Sequence, residues 1–156
     1  MDTINRIIEN NKEIEVQYKK KRGIVLLRQT DDLIFISGHG PEDQITDEPL
    51  YSGRIGKDLT LEEGYLAARE CAIIILGALK DYLGNLDRIE RFVKVFGLVN
   101  CAEGFSDIDK VMDGFSDTIS DALEERGYHA RTEMGTHNLP NNNIPVEIEV
   151  IVSIRG

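Results

Sequence analysis

Cysteine, positive charge and long apolar runs are all scarce in this sequence, and each scarcity excludes something. Only Cys71 and Cys101 occur in 156 residues. They are too few and too far apart for a disulfide framework, and neither has a Cys or His at ligand spacing, so no metal site is expected. A reducing cytosol suits both, and Cys71, inside an apolar helical pattern, reads as a small core residue. No segment approaches the ~18 apolar residues of a membrane span. The opening MDTINRIIENNK lacks the apolar centre of a signal peptide, so a cytoplasmic protein without membrane contact is expected. Eighteen basic residues stand against 28 acidic ones, a net charge of −10. Such a surface repels phosphate backbones, so nucleic acid is not an expected partner. The one dense basic run, Lys19 to Arg22, reads as a solvated segment.

Chemical signatures that would name a reaction outright are also missing. The three histidines have no HExxH or other metal spacing. Gly38 and Gly40 do not open a helix, so they form no phosphate-binding fingerprint. No Ser-His-Asp constellation is indicated, and no cofactor is called for.

What is present is an ordinary globular composition, 41% apolar and 29% charged, in a length that suits one domain spanning 1–156. Ile4, Ile7 and Ile8 fall on one face of a short helix at Asp2 to Asn11, part of a helical extension covering about 1–22, with a possible strand at Ile14 to Tyr18. Ile24 to Arg28 and Leu33 to Ser37 read as a hairpin. The acidic, turn-rich stretch Glu42 to Lys57 reads as a surface loop with a short strand at Tyr51 to Arg54. Thr60 followed by Glu63 is a helix-start signal, and the apolar positions behind it recur at three- and four-residue steps until Gly84. Ile89 to Asn100 is a strand, nearly continuous in apolar residues toward its end. A second helix spans Ser106 to Arg126, with Ile108, Val111, Met112, Phe115 and Ile119 on its buried face.

The last quarter organises the rest. Ala130 to Thr136 and Val146 to Ile154 are strand-like and are separated by a Pro- and Asn-rich loop. In the second run Val146, Ile148, Val150, Val152 and Ile154 alternate with Glu147, Glu149, Ile151 and Ser153, which places two carboxylates opposite the core face. Buried carboxylates need water or a compensating partner. Arg131, with His129 and Glu133 on its own face, is a candidate if the two strands lie close. The element order predicts an α+β sandwich: a mixed β-sheet with two long helices on one face. The opposite sheet face would then be uncovered and partly apolar, which predicts a homo-oligomer.

Several separated motifs carry a family resemblance. Phe35-Ile36-Ser37-Gly38-His39-Gly40-Pro41, Leu59-Thr60-Leu61-Glu62-Glu63-Gly64, Val99-Asn100-Cys101-Ala102-Glu103-Gly104-Phe105, and the closing His129-Ala130-Arg131 and Val146-Glu147-Ile148-Glu149 together resemble the Rid/YjgF family. These are the reactive-intermediate deaminases, historically also described as endoribonuclease L-PSP, and the similarity is to the less characterised branch with a longer N-terminus. The resemblance implies a chorismate-mutase-like fold, a homotrimer, and clefts between subunits that take a small carboxylate-bearing metabolite. By the same resemblance, Arg131 would bind the carboxylate of a 2-imino acid and Glu147 would position the attacking water. Ser37, Gly38, His39, Asn100 and Glu133 would line the cleft as substrate-binding residues.

The sequence departs from the deaminase pattern at two of these positions. Glu133 stands where a cysteine is common, adding negative charge beside an anion site, and His39 replaces the usual glutamine. The residues themselves also allow plainer roles. Arg131 could form a salt bridge with Glu133, Glu147 or Glu149, and Glu147 could be structural, as Glu149 is expected to be. His39 could line the cleft or cap its loop, while His129 and His137 read as satisfied surface or interface residues. Three functions follow: hydrolysis of a small imine or enamine to a 2-keto acid and ammonia, non-catalytic binding of a carboxylate metabolite, and, least favoured by the acidic surface, ribonuclease action.

Overall fold

The computed structural model describes residues 23–156. The expected helix at Asp2 to Asn11, the strand at Ile14 to Tyr18 and the basic run at Lys19 to Arg22 lie outside the described residues. Five strands, β1 (Leu27–Thr30), β2 (Leu33–His39), β3 (Ile89–Asn100), β4 (Ala130–Thr136) and β5 (Val146–Ile154), form one sheet in the order β1-β2-β5-β3-β4. All pairings are antiparallel except β3 with β4, which run parallel. Helix α1 (Leu61–Leu83) precedes β3, and α2 (Ile108–Leu123) supplies the crossover that a parallel pair requires. This is the α+β sandwich expected, with a mixed sheet and two long helices.

Local signals set the helix ends. Thr60 and Glu63 close a capping box: the Glu63 amide donates to Thr60 Oγ1 at 3.1 Å, and the Thr60 amide donates to Glu63 Oε2 at 2.7 Å. Gly84 stops α1 in the left-handed conformation at φ 77°. The two helices approach closely at Gly114, where a Cβ would collide with the Tyr65 carbonyl. Beneath them lie Phe92, Phe115, Met112, Ile75 and Leu79, all fully buried. Each such large side chain contributes about 1.5–3 kcal/mol relative to exposure.

Three expectations need correction. The first strand starts at Leu27 rather than Ile24, because the ladder that pairs Thr30 with Leu33 and Leu27 with Ile36 stops where β2 turns irregular between Ile36 and His39. Ile24 and Val25 are left 61% and 46% exposed. Tyr51 to Arg54 is not a strand: Gly53 and Gly56 take positive φ on either side of Ile55, which makes single bridges to Leu59 and Cys101 instead. The second helix is shorter than expected, ending at Leu123 and passing through a 3-10 turn, Glu124–Gly127.

The loop before β5 has its own device. Asn141, Asn142 and Asn143 are all left-handed, with φ of 47°, 58° and 62°, a conformation that asparagine tolerates better than other residues with a side chain. Their amides tie the turn down. Asn141 Nδ2 donates to Glu42 Oε1 at 2.7 Å, and Asn143 Oδ1 accepts from Asn100 Nδ2 at 2.9 Å.

Cross-strand register separates the two sheet faces. Val95 lies beside Val150 and Arg131 on the helix-covered face. Leu98 lies beside Glu147 and Met134, and Phe96 beside Glu149 and Thr132, on the other face. That face carries Phe35 at 43% exposure and Met134 at 52%. The uncovered, partly apolar sheet surface expected from the sequence is therefore present in the described chain.

Candidate functional site

Arg131 sits on β4, at one edge of the sheet, with its side chain turned toward α2. Its Nε and Nη2 donate to the two oxygens of Glu133, both at 3.2 Å. Nη1 donates to Asp113 Oδ1 at 2.9 Å and to Ser116 Oγ at 3.0 Å, and Nη2 also reaches the Asp109 carbonyl at 3.3 Å. A guanidinium has five N–H donors. These five bonds use all of them within the chain. Desolvation is the largest single influence on the guanidinium and lowers its pKa, but the hydrogen bonds and charges of Asp113 and Glu133 together outweigh it and push the pKa up, so Arg131 is always charged.

The network continues behind the arginine. His129 Nδ1 lies 2.6 Å from the Gly127 carbonyl and must donate to it, which leaves Nε2 to accept from the Ser116 hydroxyl at 2.9 Å. Burial depresses the His129 pKa, with Arg131 adding to the effect, so the ring is neutral and is packed near Phe92 and Phe115. A directional chain runs from Arg131 through Ser116 and His129 to a backbone carbonyl. It fixes the guanidinium from the helix side.

Glu147 lies elsewhere. It is on the open face of β5, and β3 runs between its strand and that of Arg131. The two expected partners therefore occupy opposite faces of the sheet within one chain. Burial raises the Glu147 pKa first of all, and the neighbouring Glu42 and Glu149 raise it further. Gly38 makes room for this group: a side chain there would run into the Glu147 carboxylate.

The remaining expected site residues divide between these surroundings. Gly38 is beside Glu147. Ser37 donates its hydroxyl to the Val25 carbonyl at 2.8 Å, which commits it to the hairpin. His39 is buried, with Nδ1 2.6 Å from the Ser37 carbonyl and its pKa lowered by burial, so it is neutral with Nε2 unprotonated. Asn100 is fully buried and turns its amide donors onto the Asn143 side chain and the Ile144 carbonyl, holding the loop before β5. Its Oδ1 has no hydrogen-bond partner among the described residues. The His137 carbonyl accepts from Arg54 Nε at 3.0 Å. Among the described residues no group of three His, Cys, Asp or Glu side chains could hold a metal, and no helix is long and apolar enough to cross a membrane.

Comparison with known proteins places this geometry. A family model described as "YjgF/chorismate_mutase-like, putative endoribonuclease" matches residues 31–150. The chain belongs to the Rid/YjgF family. Protein TCP17 of Trypanosoma cruzi is 34% identical over 124 residues, 79% of this chain and 76% of TCP17. Atu1372 of Agrobacterium tumefaciens, a protein of unknown function, superposes with a TM-score of 0.83 at 30% identity, covering 99% of this chain and 97% of its own. A Shewanella oneidensis protein described as a "putative endoribonuclease" shares the fold at a TM-score of 0.82 and 23% identity, over 97% of this chain and 99% of that one.

Within this Rid/YjgF chain the sequence reading missed Asp113, Ser116 and the Asp109 carbonyl as partners of Arg131. A signal for them exists. Asp109, Asp113 and Ser116 are spaced i, i+4, i+7 along α2 and so share one helical face. A polar stripe on a helix that crosses directly to the arginine strand has to meet that strand's charge.

Proposed function

We propose that this Rid/YjgF protein hydrolyses a small 2-imino or enamine carboxylate to a 2-keto acid and ammonia, without a cofactor, in clefts between the subunits of a cytoplasmic homotrimer. The observation that supports the reading is a guanidinium oriented from behind by α2, on a chain that also carries, on its other sheet face, a half-buried carboxyl of raised pKa. Because Arg131 and Glu147 face opposite sides of one sheet, a joint site requires Arg131 of one subunit beside Glu147 of the next. The exposed apolar face, and the edge of β4 that is unpaired among the described residues, supply a surface for that assembly.

Arg131 would hold the substrate carboxylate through two parallel hydrogen bonds and fix the imine carbon in place. Water then adds to the C=N carbon, the nitrogen takes a proton, and ammonia leaves as the C=O forms. Glu147 suits that proton movement. Burial first and then Glu42 and Glu149 raise its pKa above the ordinary carboxylate value, which makes it a stronger proton acceptor than an exposed glutamate.

A second reading is binding without turnover, and a specific observation favours it: Glu133 occupies the guanidinium edge that a ligand carboxylate would use. One experiment separates the two. 2-Iminopropanoate or 2-iminobutanoate, generated by an oxidase or a dehydratase, is followed in the presence of the intact oligomer. Acceleration that falls by roughly 100-fold in Glu147→Gln supports hydrolysis. Carboxylate binding by calorimetry with no acceleration for any imine selects the binding reading. Ribonuclease action is the least supported of the three readings, given the net charge of −10.

A further inference from the structure

We infer that Glu133 sets the ligand class of this cleft: the site takes a carboxylate that carries a positively charged nitrogen beside it and rejects a plain 2-oxo acid. This rests on the reading of Arg131 as the carboxylate-binding group, and it extends that reading from the reaction to the charge of the substrate. The argument starts with which of the five guanidinium bonds can be exchanged. Asp113 and Ser116 hold Nη1 from α2 at 2.9 and 3.0 Å. Glu133 holds the Nε and Nη2 edge at 3.2 Å on both contacts, longer than the 2.7–2.9 Å of a well-formed charge-assisted pair. Two residues apart on one strand, Arg131 and Glu133 share a face and meet in a two-bond fork, but one drawn out to 3.2 Å on both bonds. A free carboxylate has no such tether. The edge held by Glu133 is therefore the one an incoming carboxylate takes.

The charge count then selects the ligand. One guanidinium already faces two carboxylates, Asp113 and Glu133. Adding a third anion and displacing Glu133 leaves a carboxylate of low exposure without its cation, an arrangement of high energy in a partly desolvated site. The neighbouring Lys110 is engaged by Asp107 at 2.8 Å. A ligand that carries an iminium or ammonium nitrogen next to its carboxylate removes the conflict, since the displaced Glu133 then accepts from that nitrogen. The product of hydrolysis has lost the nitrogen. On the same argument it is expelled when Glu133 returns to Arg131, so one side chain both selects the substrate and releases the product.

The test uses stable ligands of matched size, 2-aminobutanoate (both enantiomers) and 2-oxobutanoate, titrated into the intact oligomer by ligand-observed NMR, which reads weak binding. Four proteins are compared: wild type, Glu133→Gln, Glu133→Ala and Arg131→Met, each checked by thermal melting and sedimentation. Wild type should prefer the amino acid by roughly tenfold or more, and both Glu133 variants should bind 2-oxobutanoate at least roughly tenfold more tightly than wild type and lose that preference. An unchanged preference in folded Glu133→Gln and Glu133→Ala, with binding still abolished in Arg131→Met, overturns the role of Glu133 and leaves the carboxylate site standing. Binding that survives Arg131→Met, or no binding by any of the four, removes the carboxylate site and this inference with it.

Discussion

The two faces of the sheet hold acidic groups under opposite conditions. On the face covered by helices, Asp113 and Glu133 converge on Arg131, whose remaining donors go to Ser116 and a backbone carbonyl, so the charge network closes within one chain. On the open face, Glu147 is half-buried with Glu42 and Glu149 as its electrostatic neighbours, all of one sign, and Phe35, Val93 and Met134 are exposed around the same sheet. That network is saturated as it stands, and a ligand enters it only by displacing Glu133. The open face also carries Lys94, which donates to Thr132, and Arg28 beside Phe35, but neither cation lowers the Glu147 pKa, and the apolar side chains there stay uncovered within the described chain. The largest effect should therefore come from breaking assembly there. Leu98, between Glu147 and Met134 in register, would as Leu98→Asp place a second carboxylate in that row. If subunits meet on this face, an unpaired charge buried at the contact costs about 3–5 kcal/mol. Sedimentation should show the proposed trimer falling to monomers while the far-UV spectrum stays that of the wild type. An assembly of undiminished size would locate the subunit contact elsewhere.

The covered face offers the converse change, one that should weaken the fold and leave the assembly surface untouched. Gly114 lies where α2 meets the α1 backbone, and a methyl there would run into the Tyr65 carbonyl. Backbone on both sides means neither neighbour can yield by a rotamer change. Gly114→Ala should lower unfolding stability by about 1–3 kcal/mol, read as a shift of the urea midpoint. That loss would outweigh the helix-propensity gain of about 1 kcal/mol from replacing glycine. A stabilised variant would mean that the helices can separate at this point without penalty.

What the sequence made legible follows the same division. The α1 boundaries could be read because both are written locally, in the Thr60–Glu63 box and in Gly84. The identity of the open face could be read because the alternation in Val146 to Ile154 has only two phases, and the phase with Glu147 and Glu149 cannot face a core. The start of β1 could not be read, since the apolar Ile24 and Val25 look like strand residues and only the irregularity of β2 between Ile36 and His39 leaves them out of the ladder. Most instructive is Arg131. From the chain alone, Glu133, Glu147 and Glu149 were all reasonable partners, and the strand order decided among them by inserting β3 between β4 and β5. Asp113, eighteen residues away along the chain, was reachable only through the crossover packing of α2.

The smallest expected effect tests the electrical side of the comparison. Glu147 has a pKa raised above the ordinary carboxylate value, chiefly by burial and then by Glu42 and Glu149, so the folded state holds the proton more tightly than the unfolded chain does. By linkage, stability from this group is fully present below the unfolded-state pKa and is lost as pH rises through the raised folded-state value. Glu147→Gln mimics the protonated form at every pH. Its advantage over wild type should be absent in acid, appear as pH passes from the ordinary carboxylate range through the raised value, and then level off, measured as the difference in urea midpoint between the two proteins at each pH. Should the advantage be largest in acid and vanish toward neutrality, Glu147 would be held in its charged form by a cation from a neighbouring subunit, and the open face would be electrically complete in the assembly after all.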